Sequence, residues 1–269
     1  MGGRPSRPVH PRPRSRPGGG PGDAPRHGVA RVLSKAGLCS RTEAARWIRE
    51  GRVRVDGRVV LDPEYPLHDG MRRVSVDGLE AAAAPVRHYL MLNKPRGLVT
   101  TASDEQGRDT VYRCLEDARL PWLAPVGRLD KASEGLLLFS NDPQWAAAVL
   151  DPARGPDKTY HVQVDRVPDA AWLAALQAGV LEGGEPLRAK SVAVLRSGER
   201  NAWLEIVLDE GRNRQIRRLL AACDAGVLRL VRVAIGGLAL GTLGKGQWRL
   251  LDAAERDALA PPAGSGQPG

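Results

Sequence analysis

The alternation of hydrophobic and polar positions divides the chain into two structured regions, at residues 28–80 and 86–258. In the first region, apolar residues recur at helical spacing in ARVLSKAG and in CSRTEAARWIREG, where Ser40 and Glu43 predict a capping box. The spacing then changes to every second residue in RVRVDGRVV, whose central Asp-Gly is typical of a hairpin turn, and in RRVSVDG. Two short helices and a small antiparallel sheet are therefore predicted here.

In the second region, strand and helix patterns follow one another up to residue 258. Strands are predicted for HYLMLNKP, GLLLFS, KTYHVQV, SVAVLR, WLEIVL and VLRLVRVAIGG. Helices are predicted from Asp109 to Leu115, from Asp142-Pro143 to Leu150, from Pro168 to Ala178 and over 212–222. Because the order is not uniformly strand-helix-strand, we expect an α+β fold with a mixed, largely antiparallel sheet.

Three segments outside these patterns lack the residues that fill a core. Residues 1–27 are mostly proline, glycine and arginine and predict a disordered basic arm, and residues 259–269 predict a disordered tail. EAAAAP at 80–85 is typical of a linker. No run of eighteen apolar residues, signal-peptide core or heptad pattern is present, so a monomer without a membrane span is expected.

Cysteine usage and charge narrow the class of protein. The three cysteines contain no CxxC pair, which favours reduced thiols in the cytoplasm and argues against a zinc site or a disulfide framework. The net charge is +9, and the excess lies in the N-terminal third, where residues 1–27 hold six arginines and one acid. Such an excess attracts phosphate backbones, although a merely solvated surface has the same composition.

The stretch from Leu33 to Gly57, LSKAGLCSRTEAARWIREGRVRVDG, resembles the S4 RNA-binding domain, which is named for a protein of the small ribosomal subunit. The helix start, the hairpin and their spacing all match. The resemblance implies a small N-terminal domain that docks on structured RNA, with phosphate contacts by Lys35, Arg41, Arg46 and Arg49. The alternative is a surface helix with ordinary solvated charges.

The segment GRLDKASEGLLLFSND places one carboxylate, Asp130, just before a buried strand. Such a carboxylate loses water and needs a cationic partner to stay ionised. EGRNRQIRRLL offers partners, since Arg214, Arg217 and Arg218 share one face of the predicted helix. We therefore expect Asp130 to be shielded from solvent and neutralised by a guanidinium.

GRLDKASEGLLLFSND is also similar to the central motif of the pseudouridine synthases, in the branch typified by ribosomal small-subunit pseudouridine synthase A. Four further segments match that family in order: LNKPRGLVTT, KTYHVQV, EGRNRQIRRL and LVRVAIGGLALGTLGKGQWRLL. With the N-terminal unit, the resemblance covers Val29 to Leu251. Ala132 departs from the family, which often has an acidic or polar residue there.

The resemblance implies that a uridine in ribosomal RNA is flipped out and converted to pseudouridine without cofactor or metal. We expect RNA of the large subunit rather than of the small subunit. Asp130 would attack C1′ or remove a ribose proton to give a glycal. Arg217 would pair with Asp130 and hold its pKa down, and Tyr160 would stack on the uracil and assist at C5. Further RNA contacts are implied for Arg128, Lys94, Arg212 and Arg214.

Each of these residues has an ordinary structural interpretation when taken alone. An aspartate after Gly-Arg-Leu is usually a turn residue, a tyrosine on an alternating strand is usually core, and an arginine-rich helix face is usually solvated. Two other functions also stay open. They are a non-catalytic RNA-binding assembly factor with the same fold, which only Ala132 favours, and a synthase that acts on transfer RNA.

Overall fold

The structure is a computed structural model that describes residues 27–67, 73–80 and 86–260. The arm, linker and tail predicted from the sequence lie outside these ranges, apart from residues 27, 80, 259 and 260 at their edges. Within the described ranges, no helix has the length and apolar character needed to cross a membrane.

The N-terminal region is built of two helices and short antiparallel strands around a core of its own, which includes Leu33, Ile48 and Val53. The sheet has the strand order β3-β2-β5-β6, and β1 pairs with β4. The elements are β1 His27–Gly28, α1 Val29–Lys35, α2 Arg41–Arg49, β2 Val53–Val55, β3 Arg58–Val59, β4 Pro66–Leu67, β5 Val74–Val76 and β6 Leu79–Glu80.

Two local predictions in this region concern the start of α2 and the hairpin turn. The Ser40 hydroxyl accepts a hydrogen bond from the backbone N–H of Glu43 at 3.0 Å, so Ser40 is the N-cap. The carboxylate of Glu43 bonds Arg46 instead of returning to Ser40, and the box is therefore only half formed. Asp56 and Gly57 both have positive φ, as a two-residue hairpin turn requires.

The second region is organised around a nine-stranded sheet of order β13-β14-β10-β15-β9-β7-β17, with β8 beside β9 and β16 beside β15. Its elements are β7 Tyr89–Lys94, a 3₁₀ helix Val111–Leu115, β8 Ala124–Val126, β9 Glu134–Ser140, α3 Pro143–Val149, β10 Lys158–Val164, α4 Ala170–Ala178, β11 Val180–Glu182, β12 Glu185–Leu187, β13 Ser191–Ser197, β14 Ala202–Leu208, α5 Gln215–Ala222, β15 Val227–Ile235, β16 Leu238–Ala239, β17 Trp248–Leu250 and α6 Ala253–Leu259. Among the named strands of the described residues, β15 and β9 form the one parallel pair, which confirms the predicted mixed, largely antiparallel sheet.

Strand β9 lies in the interior of the sheet, and all seven of its residues are buried. Leu137 and Phe139 pack into one core cluster, whereas Leu136 and Leu138 pack into another on the opposite side. A strand covered on both faces needs no polar positions, which explains the unbroken apolar run. At its start, Gly135 has φ +101°, and a Cβ there would lie 2.2 Å from the carbonyl oxygen of Arg232. Only glycine therefore allows β9 to approach β15 this closely.

Three predicted helix starts differ from the observed ones. The segment after Asp109 forms a short 3₁₀ helix with Thr110 at its N-cap, while the Asp109 carboxylate bonds Arg113. The helix predicted from Pro168 begins at Ala170, because Asp169 caps it through the N–H of Trp172. The helix predicted over 212–222 begins only at Gln215, after a residue in the left-handed region. Side-chain capping thus decided the start of α4, whereas the N-cap residues of the other two helices make no side-chain capping bond.

Candidate active site

A cavity of about 270 Å³ lies between the loop of residues 127–133, the start of α5 and strands β10 and β15. Its wall contains the three residues predicted to be catalytic and three of those predicted to bind RNA: Asp130, Tyr160, Arg217, Arg128, Arg212 and Arg214. This volume is slightly below the range of about 300–1,000 Å³ for most small-molecule sites, which suits a ligand no larger than one nucleoside. The fold therefore brings together residues as far apart in the sequence as Gly127 and Arg232.

Asp130 is more exposed, and paired differently, than the sequence suggested. Its side chain is 47% exposed, and the nearest cationic atom is Nε of Arg214 at 4.0 Å. The prediction of a shielded carboxylate is wrong for this structure, because the acid stands at the mouth of the cavity and the following strand alone is buried. Arg217 donates to the carbonyl oxygen of Ala132 at 3.4 Å and makes no hydrogen bond to Asp130.

Lys94 lies beneath the same loop and is fully buried. Its ammonium group donates to three backbone carbonyl oxygens, those of Pro95 at 3.1 Å, Asp130 at 3.2 Å and Ser133 at 2.9 Å. Burial lowers the pKa of Lys94 to about 8, against the opposing effect of Asp130. The predicted RNA contact by Lys94 is therefore wrong, since the side chain holds the 127–133 loop from within.

Two residues in the segment that follows β7 also hold the backbone of the 127–133 loop. The Thr100 hydroxyl donates to the carbonyl oxygen of Leu129 at 2.7 Å, and the N–H of Gly97 donates to that of Lys131 at 2.8 Å. The backbone around Asp130 is thus held on several sides while the carboxylate itself faces the cavity. A fixed backbone with an accessible acid is the arrangement that an attacking group requires.

The loop ends at a buried carboxylate, that of Glu134. Its side chain is 4% exposed and is bound by Nε of Arg229 at 2.8 Å and by the ammonium of Lys245 at 2.7 Å. Burial alone would raise the pKa of Glu134, but these two cations lower it. Glu134 is therefore an ionised anchor that fixes the start of β9.

The opposite side of the cavity mouth is formed by the loop that enters α5. Arg214 has φ +50°, an uncommon conformation for a residue with a side chain, and this turn brings its guanidinium towards Asp130. Gln215 is buried, accepts from the N–H of Arg212 at 3.2 Å and donates to Glu210 at 2.7 Å. Because Arg214 precedes the helix, it does not share a helical face with Arg217 as predicted.

Arg212 lines the cavity, but its guanidinium is already neutralised. It binds Glu210 at 2.8 Å and Glu185 at 3.0 Å. The predicted RNA contact by Arg212 is thus replaced by an internal ion pair that ties the α5 entry loop to the hairpin of β11 and β12. Arg128, in contrast, is exposed and has no hydrogen bond or acid partner within the described part of the chain.

Arg217 is half-buried on α5 and faces several charges. Burial lowers the pKa of its guanidinium, the carboxylate of Asp130 opposes that effect, and the nearby cations Arg214 and Arg96 lower it further. The influence of Asp130 on Arg217 is therefore electrostatic and acts without a hydrogen bond. Tyr160 is 9% exposed and belongs to the core cluster as well as to the cavity wall.

Comparison with known families identifies the family to which the chain belongs. Residues 88–222 match the model of the family described as RNA pseudouridylate synthase. The chain belongs to this synthase family. Residues 29–72 of the synthase match the S4 domain.

Relatives extend this similarity over most of the synthase. It is 37% identical over 227 residues to an uncharacterized RNA pseudouridine synthase of Mycobacterium tuberculosis, covering 83% of this chain and 89% of the relative. It is 35% identical to ribosomal large subunit pseudouridine synthase B of Bacillus subtilis, covering 83% and 91%. A crystal structure of a pseudouridylate synthase superposes with a TM-score of 0.59 at 27% identity, covering 87% of this chain and 99% of that one.

In the S4 domain of the synthase, the four predicted phosphate contacts fall into two groups. Arg41 pairs with Glu64 at 3.2 Å, and Arg46 pairs with Glu43 at 3.1 Å, so neighbouring acids compensate both charges. Lys35 and Arg49 are exposed and have no acid partner among the residues that the structure describes. The two free cations are therefore the better candidates for phosphate contacts.

Lys158 and Arg232 of the synthase, which no sequence pattern singled out, also line the cavity. Both are buried cations on strands, at 9% and 6% exposure. The sequence did contain a signal for the burial of both side chains. Lys158 has the same strand parity as the inward-facing Tyr160, and Arg232 has that of Leu230, so alternation alone places both charges inside. Buried cations at such positions point to a functional role.

The role assigned to Lys94 predicts that Lys94→Met slows pseudouridine formation at least about tenfold, since carbonyls of the 127–133 loop lose their donor. RNA affinity should stay within about twofold, because the side chain is buried. Filter binding and single-turnover assays measure the two quantities. A weakened affinity with a shallower salt dependence would instead make Lys94 an RNA contact.

The same variant also tests the pKa of Lys94. The folded-state value of about 8 lies below the usual value of 10.5, so the unfolded chain binds more protons between these limits. The free energy of unfolding of the wild type should therefore rise, relative to that of Lys94→Met, from about pH 8 to pH 10.5. Urea denaturation without RNA measures it. A difference independent of pH would contradict the assignment.

Proposed function

We propose that this synthase converts uridine to pseudouridine in the RNA of the large ribosomal subunit. The observation that carries the proposal is the exposed carboxylate of Asp130 on a fixed backbone, at the mouth of a nucleoside-sized cavity. Tyr160 and Arg217 in the same wall supply an aromatic ring and a half-buried cation.

Asp130 starts the reaction in this proposal. With the base flipped into the cavity, the carboxylate bonds to C1′ or removes a ribose proton to give a glycal, and the bond from C1′ to N1 breaks. The uracil then turns, C5 bonds to C1′, and the C5 proton is removed with the help of Tyr160. The arriving nucleotide excludes the water that surrounds Asp130 in the free protein, and Arg217 then acts on the acid in a drier site.

The choice of large-subunit RNA rests on the names of the relatives. Proteins from Bacillus subtilis and Escherichia coli that are 35% and 37% identical to this chain are named ribosomal large subunit pseudouridine synthase B. The S4 domain supports docking on structured RNA, and the exposed Arg128 beside Asp130 is placed to contact the RNA next to the flipped nucleotide.

The test is a map of pseudouridines in ribosomal and transfer RNA from cells with and without the gene, followed by reaction of the purified protein with each RNA. We expect at least one position in large-subunit RNA to lose its pseudouridine and to regain it in vitro. Loss confined to small-subunit or transfer RNA would overturn the substrate. An unchanged map, with the RNA still bound by the protein, would make it an assembly factor.

Lys35 and Arg49 of the S4 domain have no acid partner among the described residues. The double variant Lys35→Ala with Arg49→Ala should therefore weaken RNA binding about tenfold at low salt and flatten its salt dependence. The matched control is Arg41→Ala with Arg46→Ala, which removes the same charge from groups already paired with acids and should have the smaller effect. Fluorescence anisotropy at several salt concentrations measures both. Equal losses would show that net charge alone matters.

A further inference from the structure

Two buried cations in the cavity wall form no ion pair with the described residues. Lys158 has no hydrogen bond or acid partner among the described residues, and the nearby Asp157 is bound by Lys190 at 2.6 Å. Arg232 donates from Nε to the carbonyl oxygen of Leu136 at 2.7 Å, but its buried Nη2 has no hydrogen-bond partner in the described part of the chain. Buried donors left in this state are rare in folded proteins and need an explanation.

The two charges also oppose each other. Both side chains line the same cavity. Burial lowers the pKa of Lys158 and the charge of Arg232 lowers it further, whereas the carboxylates of Asp157 and Asp209 act in the opposite direction. A pair of like charges in the interior destabilises the free protein unless an anion joins them. Among the residues that the structure describes, neither cation has an acid within ion-pair distance, and both line the cavity.

The surroundings indicate which kind of anion fits. Lys158 and Tyr160 lie on the same side of β10. In the pairing of β10 with β15, Tyr160 is directly opposite Arg232. The same wall contains the apolar side chains of Leu208, Ile216 and Leu230 as well as polar residues. Apolar side chains and a tyrosine ring beside two cations suit a flat heterocycle with polar oxygens at its edge better than they suit a hydrated phosphate.

We propose that Lys158 and Arg232 bind the carbonyl oxygens of the uracil and hold the ring while it carries the negative charge of the broken glycosidic bond. This inference rests on the proposed function. The bond from C1′ to N1 breaks with both electrons on the uracil, where the charge spreads over N1, O2 and O4. Asp130 meanwhile bonds to C1′ or holds the proton taken from ribose C2′.

The return step restores the balance of electrons and protons. After the ring turns, the electron pair at C5 forms the bond to C1′, and the carboxylate leaves C1′ or returns the proton to C2′. C5 then loses its proton, and N1 gains one. Two fixed cations stabilise this anion without a covalent link, so the ring stays in the site and remains free to turn.

The first test uses Lys158→Met in the full-length protein, with the RNA identified by mapping. We expect the single-turnover rate to fall about 100-fold, as for the loss of a group that stabilises a developing anion, while RNA affinity stays within about twofold. The melting temperature should stay the same or rise, since an unpaired buried charge is removed. Arg232→Gln should show the same loss of rate with unchanged affinity.

Two controls separate this role from others. Lys190→Met removes an equal charge close by at the surface and should keep the wild-type rate, and Lys158→Arg should recover part of the rate lost in Lys158→Met. In RNA with 5-fluorouridine at the target, the leaving ring is a more stable anion. The defect of Lys158→Met, measured as loss of that nucleotide, should therefore shrink at least about fivefold.

The inference is overturned if Lys158→Met keeps a rate within about threefold of wild type, or if its loss is the same for both nucleotides. A loss confined to RNA affinity would make the pair a phosphate site, and a lowered melting temperature would make Lys158 a structural residue. Wild-type protein that forms no pseudouridine in any RNA would remove the proposed function itself, which is a distinguishable failure.

Discussion

Asp130→Asn is expected to abolish pseudouridine formation, by at least about 10³-fold, because the amide can neither attack C1′ nor accept a ribose proton. The fold should not change. The side chain is 47% exposed and has one ionic contact, with Arg214 at 4.0 Å, whereas the backbone on either side is held by Lys94 and Thr100. RNA affinity should stay close to that of the wild type.

Primer extension after carbodiimide modification measures the product of this variant, and thermal unfolding measures its stability. Asp109→Asn is the matched control, since this acid is also exposed and also paired with an arginine, Arg113, but lies outside the cavity. It should keep full activity. Full activity of Asp130→Asn would refute the assignment of Asp130, and a large drop in its melting temperature would point to a structural acid.

Arg217→Ala is expected to lower the rate by about 10²-fold or more, with the loss in kcat rather than in RNA affinity. This guanidinium is half-buried in the cavity wall, feels the charge of Asp130 and donates to the carbonyl oxygen of Ala132. Its removal leaves an acid that must become desolvated when RNA binds, with less opposing charge nearby. Arg217→Lys should recover part of the rate.

Variants of two neighbouring arginines separate the role of Arg217 from the roles of the other cations nearby. Arg218→Ala removes the next guanidinium of α5, which binds Glu182 and Glu185 and lies outside the cavity wall, so it should reduce stability more than rate. Arg214→Ala tests the cation nearest to Asp130. If Arg214→Ala is inactive while Arg217→Ala stays within about twofold of wild type, the counter-charge of Asp130 is Arg214.

The sequence predicted well wherever the signal is local. The period of two in KTYHVQV and the apolar run of GLLLFS depend only on which faces of a strand are covered, and both strands are observed. The Asp-Gly hairpin and the cap at Ser40 depend on groups three residues apart at most. A capping box formed by Asp252 and Glu255 starts α6 and was readable in the same way, although it was missed.

Predictions of side-chain surroundings fared less well. Lys94 and Arg212 were expected to contact RNA, yet one binds three backbone carbonyls and the other binds two glutamates. Arg214 was placed on the face of a helix that begins only one residue later. Each outcome depends on a partner far away in the chain or on one backbone angle, and neither can be recognised from the spacing of residues in the sequence.

The sequence by itself determined the two-part organisation, the strands around the motif of Asp130 and the residues that the resemblance assigns to the reaction, because such signals are carried by neighbours along the chain. Only the tertiary structure decided that Asp130 is accessible, that Lys94 supports its loop and that Lys158 and Arg232 line the same cavity. These facts require β10 to lie between β14 and β15, with β9 parallel to β15. Strand order is set by the packing of distant segments, and a charge acquires its surroundings only when they come together.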